Sequence, residues 1–305
     1  VVKGPTRKMD DGLRVTWSVF GWVVHGCASG FGDGDAVVAQ FSFSERPGSL
    51  ERFWDLEHLG ILDLNSSDFE SDAIVSTLTR DGGGRYSVGL PWRSNLRPGR
   101  NYEVAVARLK RLDQRLSQDD HRLYDEAIAS MVAEGYAEEA PAVESPEKVC
   151  YLPHRPVFKE QASTTKTRMV LDPSVGAKHE HLALNECLQK GPNLLPELFD
   201  IMLRFRVGRY VVLGDFEKAF WQIKVHECDR DSLRFLWKDS IYRMTCVPFG
   251  LICSPSILQV VVRYHLQNCH GDVDVVRLLL QSLYVDDLIT SMFNESFAVS
   301  FWDQA

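Results

Sequence analysis

The chain has few cysteines, and none of them are placed for cross-linking. Its seven (Cys27, Cys150, Cys187, Cys228, Cys246, Cys253 and Cys269) are odd in number, scattered, and never spaced Cys-x-x-Cys. That argues against a disulfide framework and a zinc site, and for a reducing compartment. Long apolar runs are also lacking. The best, Val273 to Val285, is interrupted by Asp274, Arg277 and Gln281, so no stretch reads as a membrane span. No signal-like stretch or initiator Met opens the chain, which starts in mid-pattern and reads as a fragment of something longer. Positive charge is short as well. The net charge of −8 is a poor profile for a nucleic-acid binder. Its distribution matters more, because residues 1–150 carry 17 basic and 24 acidic side chains, whereas 151–224 carry 11 and 8. The second half is where a phosphate-rich partner is tolerated.

With 305 residues and 45% hydrophobic content, the chain can bury a core in one large domain or two. Val15 to Cys27 reads as one or two strands broken at Gly21 and Gly26, and Gly30 to Gly34 as a turn. Leu50 to Leu64 has the spacing of a short amphipathic helix. Ile74 to Thr79 reads as a strand, and Asp81-Gly-Gly-Gly84 as the plainest break. Two helices follow, Asn101–Leu116 and Asp119–Tyr136, the second capped by Asp119 or Asp120. The cluster Arg108, Lys110, Arg111 and Arg115 is either a solvated face or a nucleic-acid contact. Val149–Phe158 and Thr165–Leu171 read as strands joined by a polar link, Gln161–Thr164. Leu194 to Phe205 carries one apolar helical stripe, and Arg209–Gly214 reads as a fully buried strand ending on Asp215. Leu233–Trp237 and Ile241–Val247 form a hairpin. Ser254 as N-cap with Pro255 at N1 opens a helix to about Asn268.

Two features carry chemistry. In Tyr284-Val285-Asp286-Asp287, two acids stand between the apolar runs Leu278–Val285 and Leu288-Ile289, the pattern of a strand, a tight turn and a returning strand. Vicinal carboxylates repel, so a site that keeps them together supplies a cation, and all-oxygen ligation suits Mg²⁺ or Mn²⁺. An isolated Asp-Asp turn is ordinarily just solvated. Asp215, at a strand end, is on its own an ordinary helix cap. Together the three acids make one metal site, at which two cations about 4 Å apart activate a 3′-hydroxyl and stabilise the leaving oxygen of an in-line displacement at phosphorus.

Four motifs in order then carry a resemblance. Lys166-Thr-Arg168-Met-Val-Leu-Asp172 with Asn185, Asp215-Phe216-Glu-Lys-Ala-Phe220-Trp-Gln-Ile223, Pro248-Phe249-Gly250-Leu-Ile-Cys-Ser254-Pro255 and Tyr284-Val-Asp-Asp287 together resemble the fingers and palm of a reverse transcriptase. Finer details resemble the BEL/Pao class of LTR retrotransposons: Tyr151-Leu-Pro-His154, Gly191-Pro192, Leu198-Phe-Asp200-Ile and Leu203-Arg-Phe-Arg206. Phe20-Gly21-Trp22-Val-Val-His-Gly26 resembles the end of that group's aspartic peptidase. Phe53-Trp54-Asp55-Leu-Glu57 and Tyr86-Ser-Val-Gly-Leu-Pro91-Trp92 resemble the segment after it.

The resemblance implies an α+β fold, with residues 1–48 a peptidase remnant, 49–84 a linker and 85–305 fingers and palm without a thumb. It implies RNA-directed DNA polymerase activity with Asp215, Asp286 and Asp287 catalytic and metal-binding, and two Mg²⁺ or Mn²⁺ ions. Lys159, Lys166, Arg168, Phe216, Phe220, Phe249 and Gly250 would bind nucleotide, with Phe220 as a sugar gate partly exposed beside Asp215 and Phe249. The implied partners are a primed RNA or DNA template and dNTPs, with no membrane, and the implied setting is a cytoplasmic particle. The peptidase Asp-Thr-Gly or Asp-Ser-Gly is absent, and the chain stops 18 residues after Asp287. The alternative reading is an inactive transposon remnant that at most binds nucleic acid, and a phosphatase or nuclease using the same carboxylates is a third.

Overall fold

The computed structural model describes residues 6–8, 14–18, 21–25, 40–41, 72–94, 96–142, 149–158, 167–176 and 182–304. The expected helix Leu50–Leu64, the turn Gly30–Gly34, the link Gln161–Thr164, Lys159 and Lys166 lie outside them. The chain divides into two compact units, 1–62 and 63–305. The first holds a four-stranded antiparallel sheet in sequence order, Thr6–Lys8, Arg14–Ser18, Gly21–His25 and Gln40–Phe41. Its central register sets Val15 opposite Val24 and Trp17 opposite Trp22, so the expected break falls just before Gly21.

The second unit mixes helices with small sheets, an α+β fold as expected. Its first strands, Thr79–Arg80 and Tyr86–Val88, pair across the glycine run. That run is therefore a turn between paired strands. Asp81 holds it, its Oδ1 accepting from the amides of Gly83 and Arg85 at 3.0 and 2.8 Å and its Oδ2 from Lys224 Nζ at 2.8 Å. Ile74 sits in a helical turn instead of a strand.

Helices Tyr102–Asp113 and Gln118–Ala133 follow. Ser117, not an aspartate, caps the second, its Oγ accepting from the Asp120 amide at 3.1 Å. Asp119 and Asp120 stand in the first turn, where the helix dipole favours their charge. His154–Phe158 and Thr167–Leu171 form the expected antiparallel pair. Strands Ala137–Glu139, Ser240–Met244 and Arg234–Trp237 make a sheet with Ser240–Met244 in the middle. Buried charges pin it. Asp231 Oδ1 accepts from Arg234 Nε at 3.1 Å and from Arg243 at 3.1 Å, and Arg243 reaches Glu138 at 2.7 Å. Arg234 is 1% exposed, so its pairing with Asp231 is a desolvated one.

Three expectations fail here for local reasons. The apolar stripe from Leu194 yields a helix only over Leu198–Phe205, because Pro196 disfavours helical backbone at Leu195 before it. Tyr210–Asp215 is a strand but not fully buried. Its side chains alternate as in any strand and only one face is covered, leaving Val212 buried and Val211 and Leu213 exposed. Val273–Ser282, including most of the run read as a strand, is a helix capped by Asp272, which accepts from the Asp274 and Val275 amides. Val275 and Leu279, four residues apart, turn one face into the core. Strand pairing begins only at Leu283.

The helix Ser254–Asn268 forms with Pro at its start, but Ser254 does not cap it. Its Oγ donates to the Pro248 carbonyl at 2.6 Å, which ties the preceding loop to the helix.

Two positions generate predictions. A Cβ on Gly208 would lie 2.3 Å from the Met292 backbone nitrogen. Backbone cannot give way as a flexible side chain does, so Gly208→Ala should destabilise by at least the roughly 1–3 kcal/mol of an overpacked core, read as a lower urea midpoint.

His154 is half-buried, its Nε2 donating to the Leu236 carbonyl at 2.7 Å and its Nδ1 accepting from Tyr124 at 2.5 Å. Burial holds its pKa below the ordinary 6.5. The unfolded chain then binds the proton first, so stability is present at neutral pH and lost as pH falls below about 6.5, at up to about 1.4 kcal/mol per pH unit. His154→Gln should flatten that slope in urea titrations between pH 7 and 5.

Candidate active site

The three acids come together through strand register. Tyr210–Asp215 runs antiparallel to Asp287–Met292, with Val212 opposite Thr290 and Asp215 opposite Asp287. Leu283–Tyr284 pairs on the other edge, Tyr284 opposite Asp287. Val285 and Asp286 are therefore a two-residue loop, and the Phe216 amide donates to the Asp286 carbonyl at 2.9 Å, closing the loop against the end of the first strand. The returning strand is as expected, though the approach to the turn is mostly helix.

Val285 sits at φ 60°. Positive φ at the first loop position is the mark of a type II′ turn, normally filled by glycine. A β-branched residue there costs about 1–3 kcal/mol that the surrounding pairing must offset.

Asp215 and Asp287 are exposed and Asp286 is half-buried. Burial pushes the Asp286 carboxyl above the usual aspartate range, and repulsion from Asp287 and Asp215 pushes it further. Arg168 opposes both, so its guanidinium lies within electrostatic reach of the acids. The three carboxylates and Arg168 share one neighbourhood. Among the described residues, however, no three His, Cys, Asp or Glu side chains are gathered closely enough to hold an ion. By charge and donor type the acids fit a hard cation; their side chains are not drawn into a ligand set.

Around the acids, Arg168 projects from an exposed position opposite Val157. Phe216 is 38% and Phe249 46% exposed. Gly250 follows at φ 100°, and a Cβ there would lie 2.9 Å from the Leu171 carbonyl oxygen, so only glycine lets this loop lie against the end of the Arg168 strand. Asn185 holds the same junction. Its amide donates to the Gly250 carbonyl at 3.1 Å and its Oδ1 accepts from the Ile252 amide at 2.9 Å. The sequence marked Asn185 by motif alone, and nothing in it betrayed this bridging role.

Phe220 departs from expectation. It is only 5% exposed, its ring 4.7 Å from that of Phe249 in an edge-on contact. A short 3₁₀ turn, Ala219–Gln222, entered through Lys218 at φ 53°, rotates it into the main core. Such sealing is the arrangement of packing, and it supports Phe249 from beneath. Trp221 packs at a tilt against Tyr136 instead, centroids 4.8 Å apart.

Residues 156–299 match the family model for reverse transcriptase (RNA-dependent DNA polymerase). Among solved structures, a foamy viral protease-reverse transcriptase in complex with dsDNA is 17% identical, with 87% of this chain and 49% of that one covered and a TM-score of 0.50. A dRH form with ds DNA is 20% identical, covering 70% and 31% at a TM-score of 0.45. The native prototype foamy virus protein is 15% identical, covering 84% and 29% at 0.46. This chain spans about a third to a half of those chains. The 0.50 likeness identifies the fold as that of reverse transcriptase fingers and palm. No curated protein matches the chain. Among the described residues no helix is long and apolar enough to cross a membrane.

The raised Asp286 pKa sets a sign. A carboxyl whose folded pKa exceeds the ordinary 3.8 contributes stability that is present below that value and lost as pH rises through the folded pKa. Asp286→Asn should therefore raise the melting temperature at pH 7 in chelator by about 2–4 °C, with the gain vanishing at pH 3.5. A lower melting temperature at pH 7 would mean the carboxylate is held by something other than its repelling neighbours.

Proposed function

We propose that the chain is the fingers-and-palm part of an RNA-directed DNA polymerase from a BEL/Pao-type LTR retrotransposon. Residues 1–48 are then a peptidase-region remnant and 49–84 a linker. The observation that carries the reading is the register of Asp215 on Asp287, with Asp286 closed against Phe216, inside the stretch that matches the reverse transcriptase family.

In this reading Asp215, Asp286 and Asp287 hold two Mg²⁺ or Mn²⁺ ions, which when bound lower the pKa of a primer 3′-hydroxyl and neutralise charge on the leaving oxygen. Arg168 holds the triphosphate of the incoming dNTP bidentately, with Lys159 and Lys166 as further contacts. Phe216 and the Phe249-Gly250 loop line the base and sugar, and Phe220 buttresses Phe249 from the core. A primed RNA or DNA template is the partner, and a cytoplasmic particle the setting. The second reading, an inactive remnant, draws on the acids not being gathered as a ligand set.

Primer extension on poly(rA)/oligo(dT) with Mg²⁺ or Mn²⁺ separates the readings. The polymerase incorporates dTTP; a remnant gives only a salt-sensitive shift, and a nuclease shortens the primer. Asp215→Asn and Asp286→Asn should each cut extension by at least about 10²-fold. Arg168→Ala should raise KM for dTTP roughly tenfold, the worth of one charge-assisted contact; an unchanged KM removes Arg168 from the nucleotide site.

A further inference from the structure

Three arginines have no part in the chemistry proposed above. Arg108 and Arg111 lie on the helix Tyr102–Asp113. Arg115 lies in the turn that prolongs it, where the Arg115 and Leu116 amides both donate to the Leu112 carbonyl, at 2.9 and 3.1 Å. Spacings of three and four residues put the three side chains on one stripe, and all are exposed. Ala105, Leu109 and Leu112 pack into the core from another face. Like charges at these spacings repel, so the stripe weakens the helix that carries it. The helix dipole favours a cation in the last turn, but Lys110 already supplies one on a different side.

The chain is acidic overall, with 42 carboxylates against 34 basic side chains, yet the stripe is left almost uncompensated. Among the described residues, Asp172 is the one carboxylate in ion-pair contact with it, Oδ2 lying 3.5 Å from Arg108 Nη1. Both side chains are about half exposed, so water screens that pair. Other acids nearby are engaged elsewhere. Asp113 faces His121 at 3.7 Å, and Glu103 falls on the Lys110 side of the helix. Asp119 and Asp120 stand in the first turn of the next helix, where Asp120 accepts from the Ser117 hydroxyl at 2.7 Å. That next helix pairs its own Arg122 with Glu126 at 2.9 Å.

Asp172 also joins the stripe to the ribbon that carries Arg168. Arg155 stands opposite Val170 and Val157 opposite Arg168, so Arg155 and Arg168 share one face, and both are exposed. The Asp172 amide donates to the Pro153 carbonyl at 2.8 Å, which carries the alternation one step further and sets Asp172 diagonal to Arg155. A basic surface thus runs from Arg155 past Asp172 to Arg108, Arg111 and Arg115. From Arg108 to Arg115 it extends about 10 Å along the helix axis, the rise of about three nucleotides of one duplex strand. The helix offers bases no ring to stack on, because its single aromatic residue, Tyr102, packs edge-on against Tyr151. What the surface can recognise is charge, and a duplex carries about twice the charge per length of a single strand.

We propose that Arg155, Arg108, Arg111 and Arg115 form a docking surface for the phosphate backbone of a nucleic-acid duplex, with Asp172 the counterion that Arg108 gives up on binding. The proposal rests on the nucleic-acid partner of the polymerase reading. It adds a contact made by four arginines that lie outside the matched residues 156–299.

The test is fluorescence anisotropy of a labelled DNA duplex titrated with the full chain, in chelator and without dNTP, over a series of NaCl concentrations. Each phosphate contact adds about 0.9 to the slope of log K against log salt. Arg111→Gln combined with Arg115→Gln should lower that slope by about 2, and Arg155→Gln by about 1. Glutamine has nearly the helix propensity of arginine, so circular dichroism should not change. Lys110→Gln makes the same charge change on another side of the helix and should leave the slope as it is. An unchanged slope in the arginine variants overturns the proposal. So does an equal loss in Lys110→Gln, which is attraction to charge in general, and so does tighter binding of a single strand than of the duplex. Anisotropy is read without primer extension, so the two readings fail separately: unchanged slopes with extension intact sink only this surface, and the expected slopes without extension sink only the polymerase.

Discussion

The strand register of Tyr210–Asp215 on Asp287–Met292 is the constraint on which the site depends. A one-residue slip would send every side chain of the edge strand to the other face, and Asp215 would leave the acids it now faces. Several contacts make that slip costly. Gly208 meets the Met292 backbone so closely that no side chain fits between them. Its amide donates to Ser291 Oγ at 2.9 Å, and the same hydroxyl donates to the Arg204 carbonyl at 2.7 Å. Gly214 faces the Trp302 ring from the helix Glu295–Gln304, which covers the inner side. The acids are thus placed by packing that lies several residues away from them.

The other half of the proposed site is positioned by a different device. Among the described residues the strand carrying Arg168 pairs only with His154–Phe158, and a two-stranded ribbon is marginal by itself. It is anchored where it ends. Gly250 lies against Leu171, and Asn185 bridges Pro173, Ser174, Gly250 and Ile252. One asparagine and one glycine connect the basic strand to the loop before the helix Ser254–Asn268.

How much of this was legible in the sequence depended on the range of the cause. The Tyr284–Asp287 turn, the strand ending on Asp215 and the Arg168 hairpin were readable because their signals are local: acids between apolar runs, and short alternating segments. Leu278–Leu280 misled because a leucine run has no period of its own, and the cap that makes it helical, Asp272, lies outside it. Ser254 and Asp119 misled because more than one residue could cap: Ser117, just upstream, takes the cap, and the Ser254 hydroxyl goes to the Pro248 carbonyl. The inward turn of Phe220 follows from a left-handed Lys218, which no composition signals. Asn185's bridging spans 67 residues to Ile252, beyond any local pattern.

Val285 carries a last consequence. Its strained φ means the loop is held in a shape its own sequence would not choose. Glycine would relieve the strain, but it would also admit many other shapes for the peptide that carries Asp286. A β-branched residue leaves the loop few alternatives once the flanking pairs have formed. The tip therefore trades stability at rest for a single orientation of its acid, so variation at this one position should alter how sharply the acid is aimed before it alters whether the protein folds.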